Sequence, residues 1–172
     1  MVRCFIGYIL PRDVREKIFE VEKKILGLPM KCKLVEKENI HLNFSFLGEV
    51  EDERIGKIKE TLKEICGVYE KFEVKLNKFV FFPSRKYFRV IALDLSEGRN
   101  FVIGIAREIV EKIGGDFKSP HVTLCRVKDV KNKEKILEFF DKLKIEFSFE
   151  VNSLQLIKSK ISRKGPTYEI IF

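Results

Sequence analysis

The chain contains two histidines, and both occur in the same short context. His41 lies in Ile40-His41-Leu42-Asn43-Phe44 and His121 in Pro120-His121-Val122-Thr123-Leu124. Each is followed two residues later by a small polar side chain and is set among apolar residues. On an extended strand successive side chains alternate between faces, so each histidine shares a face with its polar partner, Asn43 or Thr123. Imidazole titrates near neutrality. A facing pair can therefore hold one neutral ring as general base and one protonated ring as general acid at the same pH, which suits displacement at phosphorus. Asn43 or Thr123 could donate a hydrogen bond to a nonbridging phosphate oxygen as charge grows on it. A single histidine on an apolar strand is more often structural; it is the matched pair that points to chemistry.

The elements needed to position the pair are legible as periodicities. Val2 to Leu10 reads as a strand, and Val14, Ile18, Val21 and Ile25 recur at helical spacing behind Pro11 and Asp13, which suit a helix start. A Lys-rich connection from Met30 to Lys37 leads to a strand over 39–47 carrying His41. Ile55, Ile58, Leu62, Ile65 and Tyr69 mark an amphipathic helix. Phe72 to Phe82 is β-prone, a turn at Pro83-Ser84 follows, and Tyr87 to Leu95 is a further strand. The second part repeats this outline: a helix over 101–113, a Gly114-Gly115 break, a strand over 120–127 carrying His121, a helix over 133–143, and one strand from Ile145 to Ile157. The segment from Ser159 reads as a basic loop with Gly165-Pro166 and a closing strand, Thr167 to Phe172. The histidines are 80 residues apart in equivalent settings. This predicts a single bilobed α+β domain over 1–172 with pseudo-two-fold symmetry, its first lobe built around 39–82 and its second around 87–157.

Composition bounds the function. With 172 residues, 45% of them hydrophobic, the chain can bury a real core. Thirty-four Lys and Arg against 26 Asp and Glu give a net charge of +8, which favours an anionic partner such as RNA or a nucleotide. Part of that excess is Lys interleaved with Glu on solvated helix faces, as at Lys57, Lys59, Glu60, Lys63 and Glu64. Basic clusters at Lys31, Lys33 and Lys37 and at Lys160, Arg163 and Lys164 are candidate contacts to an RNA backbone. Cys4, Cys32, Cys66 and Cys125 are too scattered for a zinc site and read as small apolar residues in a reducing compartment. The apolar N-terminal run is too short for a signal peptide and no stretch is long enough to span a membrane. The expectation is a cytoplasmic monomer with no membrane partner.

His41-Leu42-Asn43-Phe44-Ser45-Phe46-Leu47-Gly48-Glu49 and Pro120-His121-Val122-Thr123-Leu124-Cys125-Arg126-Val127 resemble the paired His-x-Thr-x motifs of the two-histidine (2H) phosphoesterases. Within that superfamily the chain is most similar to the RNA 2′,3′-cyclic phosphodiesterases, historically called 2′-5′ RNA ligases. The resemblance extends to the opening strand with Pro11, Glu38-Asn39-Ile40-His41, Phe81-Phe82-Pro83, Lys118-Ser119-Pro120-His121 and Gly165-Pro166-Thr167-Tyr168. It implies two antiparallel sheets facing a central cleft with helices outside, and opening of a terminal 2′,3′-cyclic phosphate on RNA to a 2′-phosphate. Neither metal nor cofactor is implied. His41 maps to the general acid and His121 to the general base, roles that are near mirror images. The reverse reaction would be 2′-5′ ligation. Arg126 matches a family Arg expected to contact phosphate, yet strand parity points it away from His121 and Thr123 unless the strand bulges. Asn43 stands where the family usually carries Thr. Two alternatives stay open: a phosphodiesterase of small cyclic nucleotides, and a noncatalytic RNA- or nucleotide-binding module.

Overall fold

The computed structural model describes residues 1–172. In chain order the elements are β1 (Val2–Ile9), α1 (Arg12–Ile25), β2 (Met30–Leu34), a 3₁₀ turn (Lys37–Asn39), β3 (His41–Val50), α2 (Asp52–Val68), β4 (Phe72–Pro83), β5 (Phe88–Glu97), α3 (Arg99–Lys112), β6 (His121–Val130), α4 (Lys133–Lys142), β7 (Phe147–Val151), β8 (Gln155–Ser162) and β9 (Gly165–Ile170). All strand pairs are antiparallel and form two sheets, a first ordered β3-β1-β8-β9 and a second ordered β2-β6-β5-β4-β7. The two histidine strands belong to different sheets, β3 at an edge of the first and β6 inside the second, and they approach within 8 Å Cα to Cα. The α+β architecture with two antiparallel sheets is as expected.

The helices start where local chemistry allows. Pro11 precedes α1, its missing N–H falling where a helix has no use for one, and Asp13 lies in the positively polarised first turn. Asn132 caps α4 by accepting a hydrogen bond from the Lys135 N–H at 3.1 Å. Phe140 of α4 packs edge-on against Phe79 and Phe81 of β4 at 4.7 and 5.6 Å between centroids, which fastens that helix to the second sheet. A continuous cluster of 39 buried residues drawn from strands and helices of both sheets forms the core.

The sheets do not follow the halves of the sequence. Strand β4, which the sequence grouped with His41, is hydrogen-bonded between β5 and β7 in the sheet of His121, whereas both ends of the chain pair into the sheet of His41. Met30 to Leu34 is an edge strand rather than a connection. Met30, Cys32 and Leu34 are half-buried while Lys31 and Lys33 are exposed, an alternation masked by the lysines that edge strands commonly carry. Residues 145–157 are not one strand, because the chain leaves the second sheet after Val151 and joins the first at Gln155. The basic segment after Ser159 is a hairpin whose two-residue turn is Arg163-Lys164, with Ser162 paired to Gly165.

One buried group has no counterpart in the sequence reading. Glu22 lies on the inward face of α1 at 0% exposure, and neither carboxylate oxygen finds a hydrogen-bond partner. Desolvation raises its pKa from 4.5 to about 9, so the folded protein holds it neutral. The unfolded chain releases that proton above 4.5, so the stability of the fold falls as pH rises from there toward about 9. Glu22→Gln removes this dependence. Between pH 5.5 and 8 the stability difference between Glu22→Gln and wild type, measured by urea unfolding, is expected to grow in favour of the variant by about 1.4 kcal/mol per pH unit; parallel pH dependences would contradict it.

Candidate active site

The two histidine strands carry the same local irregularity. In the pairing of β1 with β3, Ile9 faces His41, Gly7 faces Asn43 and Ile6 faces Ser45, so Phe44 is an extra residue. In the pairing of β5 with β6, Asp94 faces His121, Ala92 faces Thr123 and Ile91 faces Cys125, so Leu124 is an extra residue. Each strand thus bulges directly after its His-x-polar pair. A bulge reverses the alternation of faces, and position 126 returns to the face of His121 and Thr123. Arg126 therefore enters the cleft, where its charge acts on both histidines. By the same step Phe46 shares the face of His41 and Asn43.

Small residues permit the bulges. A Cβ on Gly7 would lie 2.7 Å from the Leu42 carbonyl oxygen, and the equivalent residue on β5 is the fully buried Ala92. Gly115 has φ +97, and a Cβ there would overlap Ser45 Oγ and lie 2.8 Å from the Phe46 carbonyl oxygen. Its absence lets Asp116 pair with Phe46 through hydrogen bonds of 2.8 and 2.9 Å, and lets Ser45 Oγ donate to the Gly114 carbonyl at 2.8 Å.

The imidazoles are held alike. His41 Nδ1 lies 2.7 Å from the Asn39 carbonyl oxygen and His121 Nδ1 2.9 Å from that of Ser119, in each case two residues upstream. A carbonyl only accepts, so Nδ1 carries the hydrogen and Nε2 is left to take or give a proton. Asn39 is itself fixed by donating from Nδ2 to the Pro166 carbonyl at 2.7 Å. Rings hold the imidazoles laterally: Phe5 and Tyr168 lie 4.8 and 5.4 Å from His41, and Phe82 lies 4.9 Å from His121, between centroids. Both histidines are half-buried, as are Asn43 and Thr123.

The electrostatics separate the two rings. Desolvation, opposed by the Asn39 hydrogen bond and reinforced by the charges of His121 and Arg126, lowers the His41 pKa from 6.5 to about 4. Desolvation also lowers that of His121, but there the Ser119 hydrogen bond and the Asp94 carboxylate oppose it. Asp94 is oriented by Arg99 at 2.6 Å and Lys78 at 3.6 Å. Without ligand, the first proton to enter the pair goes to His121.

Of the five residues expected from sequence, His41 and Asn43 lie on β3 and His121, Thr123 and Arg126 on β6; the charge of Arg126 acts on both imidazoles and that of His121 on His41. Lys33 sits directly across from Arg126, but Lys37 lies over the Phe19 ring at 5.8 Å and is no part of the site. Lys160 shares neither face nor row with Tyr168, being paired with Thr167. Sequence reading missed Asp94 and the use of Phe5, Phe82 and Tyr168 beside the imidazoles; the Phe81-Phe82-Pro83 and Gly165-Pro166-Thr167-Tyr168 runs gave the only signal for the last two. A cavity of about 650 Å³ between β4 and α4 contains neither histidine. No group of three or more His, Cys, Asp and Glu side chains is arranged to hold a metal ion, and Cys4, Cys32, Cys66 and Cys125 are all unpaired thiols. No helix is long and apolar enough to cross a membrane.

Two antiparallel sheets, each supplying one His-x-polar strand to a common face, define a two-histidine phosphoesterase. The family described as LigT-like phosphoesterase matches residues 9–92 and 105–168. The chain is 36% identical to an RNA 2′,3′-cyclic phosphodiesterase of Methanocaldococcus jannaschii, covering 99% of this chain and 98% of that one. It is 31% identical to a protein of the same name from Aquifex aeolicus, covering 99% and 95%. Among solved structures, E. coli LigT complexed with 3′-AMP superposes with a TM-score of 0.71 at 23% identity, covering 99% and 95% of the two chains. A protein of Thermus thermophilus superposes with a TM-score of 0.80 at 22% identity, again over 99% and 95%. The chain belongs to the LigT-like phosphoesterase family.

The unequal rings give a direct test. In an NMR titration of the ligand-free protein, both imidazoles are expected to protonate below the usual 6.5, with His41 following His121. Asp94→Asn should lower the His121 value further and leave His41 nearly in place. Protonation of His41 first would overturn the assignment of these shifts.

Proposed function

We propose that this protein is an RNA 2′,3′-cyclic phosphodiesterase that converts a terminal 2′,3′-cyclic phosphate to a 2′-phosphate with His41 and His121 as its acid/base pair. The observation that carries the reading is the matched tethering of the two imidazoles by upstream backbone carbonyls at 2.7 and 2.9 Å, on strands that approach within 8 Å. The names and full-length coverage of the relatives support the substrate class.

In the proposed step, a water oxygen attacks phosphorus as His121 Nε2 takes one of its protons. The bond from phosphorus to the 3′ oxygen breaks, and His41 Nε2 gives that oxygen its proton. The product is a 2′-phosphate with a free 3′ hydroxyl, and protons and charge balance without a further reactant. Asn43, Thr123 and Arg126 donate to the nonbridging oxygens, where negative charge grows. For His41 to act as the acid, its pKa must rise from about 4 when substrate binds; the phosphate anion raises both rings, and the 3′ oxygen beside His41, which gains negative charge as its bond to phosphorus breaks, favours the proton on that side. With a 5′ hydroxyl in place of water, the same displacement leaves a 2′-5′ phosphodiester and a free 3′ hydroxyl, which is the ligase reaction. The net charge of +8 favours an RNA end over a mononucleotide, and four unpaired thiols suit a reducing cytoplasm. We place the protein there, acting as a monomer.

The test is incubation with a short RNA ending in a 2′,3′-cyclic phosphate. Turnover to the 2′-phosphate should persist in excess EDTA, and His41→Ala or His121→Ala should each lower kcat by about 10² to 10⁴. Retention of wild-type rates by both variants, or a 3′-phosphate product, would refute the mechanism. Asn43→Thr is expected to keep or raise turnover, because either side chain presents a donor to phosphate from the same strand position; a loss of about tenfold or more would mean that the amide does something a hydroxyl cannot.

A further inference from the structure

Beyond Val90 and Arg126, the two central strands of the second sheet each carry a further bulge. Along β5, Val90 pairs with Phe82 and Phe88 with Pro83, so Arg89 is an extra residue. Along β6, Val127 pairs with Cys32 and Asp129 with Lys31, so Lys128 is an extra residue. Phe88 and Val127 are buried, while Arg89 and Lys128 are exposed. Lys128 lies two residues past Arg126, about 7 Å along an extended strand, and Arg89 adjoins Val90, which faces Arg126. Bulges re-aim side chains at the margins of sites. Here each of them presents a cation.

Between these two residues is a concavity of about 300 Å³, lined also by Lys86 and Tyr87 of the β4–β5 turn, Asp129, and Lys133 at the start of α4. Four cations thus meet one carboxylate. None of the four forms a salt bridge, whereas Arg85, Arg99, Lys112 and Lys142 elsewhere on the surface do. Like charges gathered in a concavity raise its potential and draw in an anion. The guanidinium at its centre is fixed: Arg89 Nε donates to the Tyr87 hydroxyl at 2.6 Å, Nη1 donates to the Lys128 carbonyl at 3.4 Å, and the group lies over the Tyr87 ring at 5.3 Å from the centroid. Lys133 Nζ donates to the Lys86 carbonyl at 3.3 Å, which ties the turn to α4. A planar guanidinium held in place among lysines is suited to the oxygens of a phosphodiester.

We propose that this pocket binds a backbone phosphate of the RNA strand leading away from the cyclic end, as a second anion subsite further along β6 from the reacting centre. It rests on the cyclic phosphodiesterase reading and extends it to substrate length. A phosphate contact positions the strand and reads no base. The preference it creates is therefore for an oligonucleotide over a mononucleotide, whatever the sequence.

The test compares adenosine 2′,3′-cyclic phosphate with a four-adenosine RNA ending in the same cyclic phosphate, so that the reacting ring and the terminal base are shared. Wild type should show a KM about tenfold lower for the RNA. Arg89→Gln/Lys128→Gln should raise that KM by about tenfold with kcat within about twofold, leave both constants for the mononucleotide unchanged, and flatten the fall of log(kcat/KM) with log[salt] by about 1 to 1.5. Lys86→Gln/Lys133→Gln, which touches neither bulge, should act in the same direction, and it provides the answer if the first variant does not fold. Lys17→Gln/Lys63→Gln, which removes the same charge from exposed positions on α1 and α2, should change nothing. Equal effects on both substrates, no effect on either, or the same effect from the Lys17 and Lys63 variant would overturn the subsite. If the wild-type protein cleaves neither substrate, the cyclic phosphodiesterase reading falls. Fluorescence anisotropy with a labelled four-adenosine RNA then decides the subsite separately: Arg89→Gln/Lys128→Gln should weaken binding by about tenfold, and binding as tight as wild type would overturn it.

Discussion

The arrangement of the site depends on the extra residue that follows the His-x-polar pair in each histidine strand. An unbroken strand would put Arg126 on the side of the sheet opposite His121 and Thr123, and Phe46 opposite His41 and Asn43. The bulges at Phe44 and Leu124 convert a two-residue motif into a three-residue site on each side of the cleft. They also constrain the residues around them. Gly7 and Ala92 are small because the bulged strand approaches closely, and Gly115 is bare because Ser45 and Phe46 occupy the space a side chain would need.

On that scaffold, near-symmetry and its breaking serve different purposes. The imidazoles are equivalent in tautomer and tether, which suits a reaction whose forward and reverse directions exchange acid and base. Electrostatics removes the equivalence. Asp94 stands where the first sheet has Ile9, so one ring has a carboxylate neighbour and the other an aliphatic one. The carboxylate favours a proton on the His121 ring, and nothing comparable stands beside His41. The same difference appears at positions 46 and 126, an aromatic ring against a cation.

Most elements were legible from periodicity, and the exceptions share a cause. Met30 to Leu34 was hidden by lysines on an edge strand, where solvent faces one side and polarity is tolerated. The passage from β7 to β8 was hidden because an apolar alternation continues across a change of sheet, and nothing local distinguishes a strand that bends from a chain that leaves. The assignment of β4 to the histidine strand nearest in sequence failed because strand pairing is decided by which hydrophobic faces can be covered together, a property of the whole chain.

The pair His41 and His121, their polar companions and the α+β class followed from residue types and spacing alone, because imidazole chemistry and the period-two alternation are local properties. The place of Arg126 was undecidable at that level, since parity argued against it and only a bulge, invisible in residue types, reverses parity. Which ring is the more basic, which aromatics brace the imidazoles and which phenylalanine stays exposed were decided only by the fold. Each depends on residues far apart in the sequence, Asp94 beside His121, Tyr168 beside His41 and Arg3 over Phe46, and it is packing of the sheets that brings them into contact.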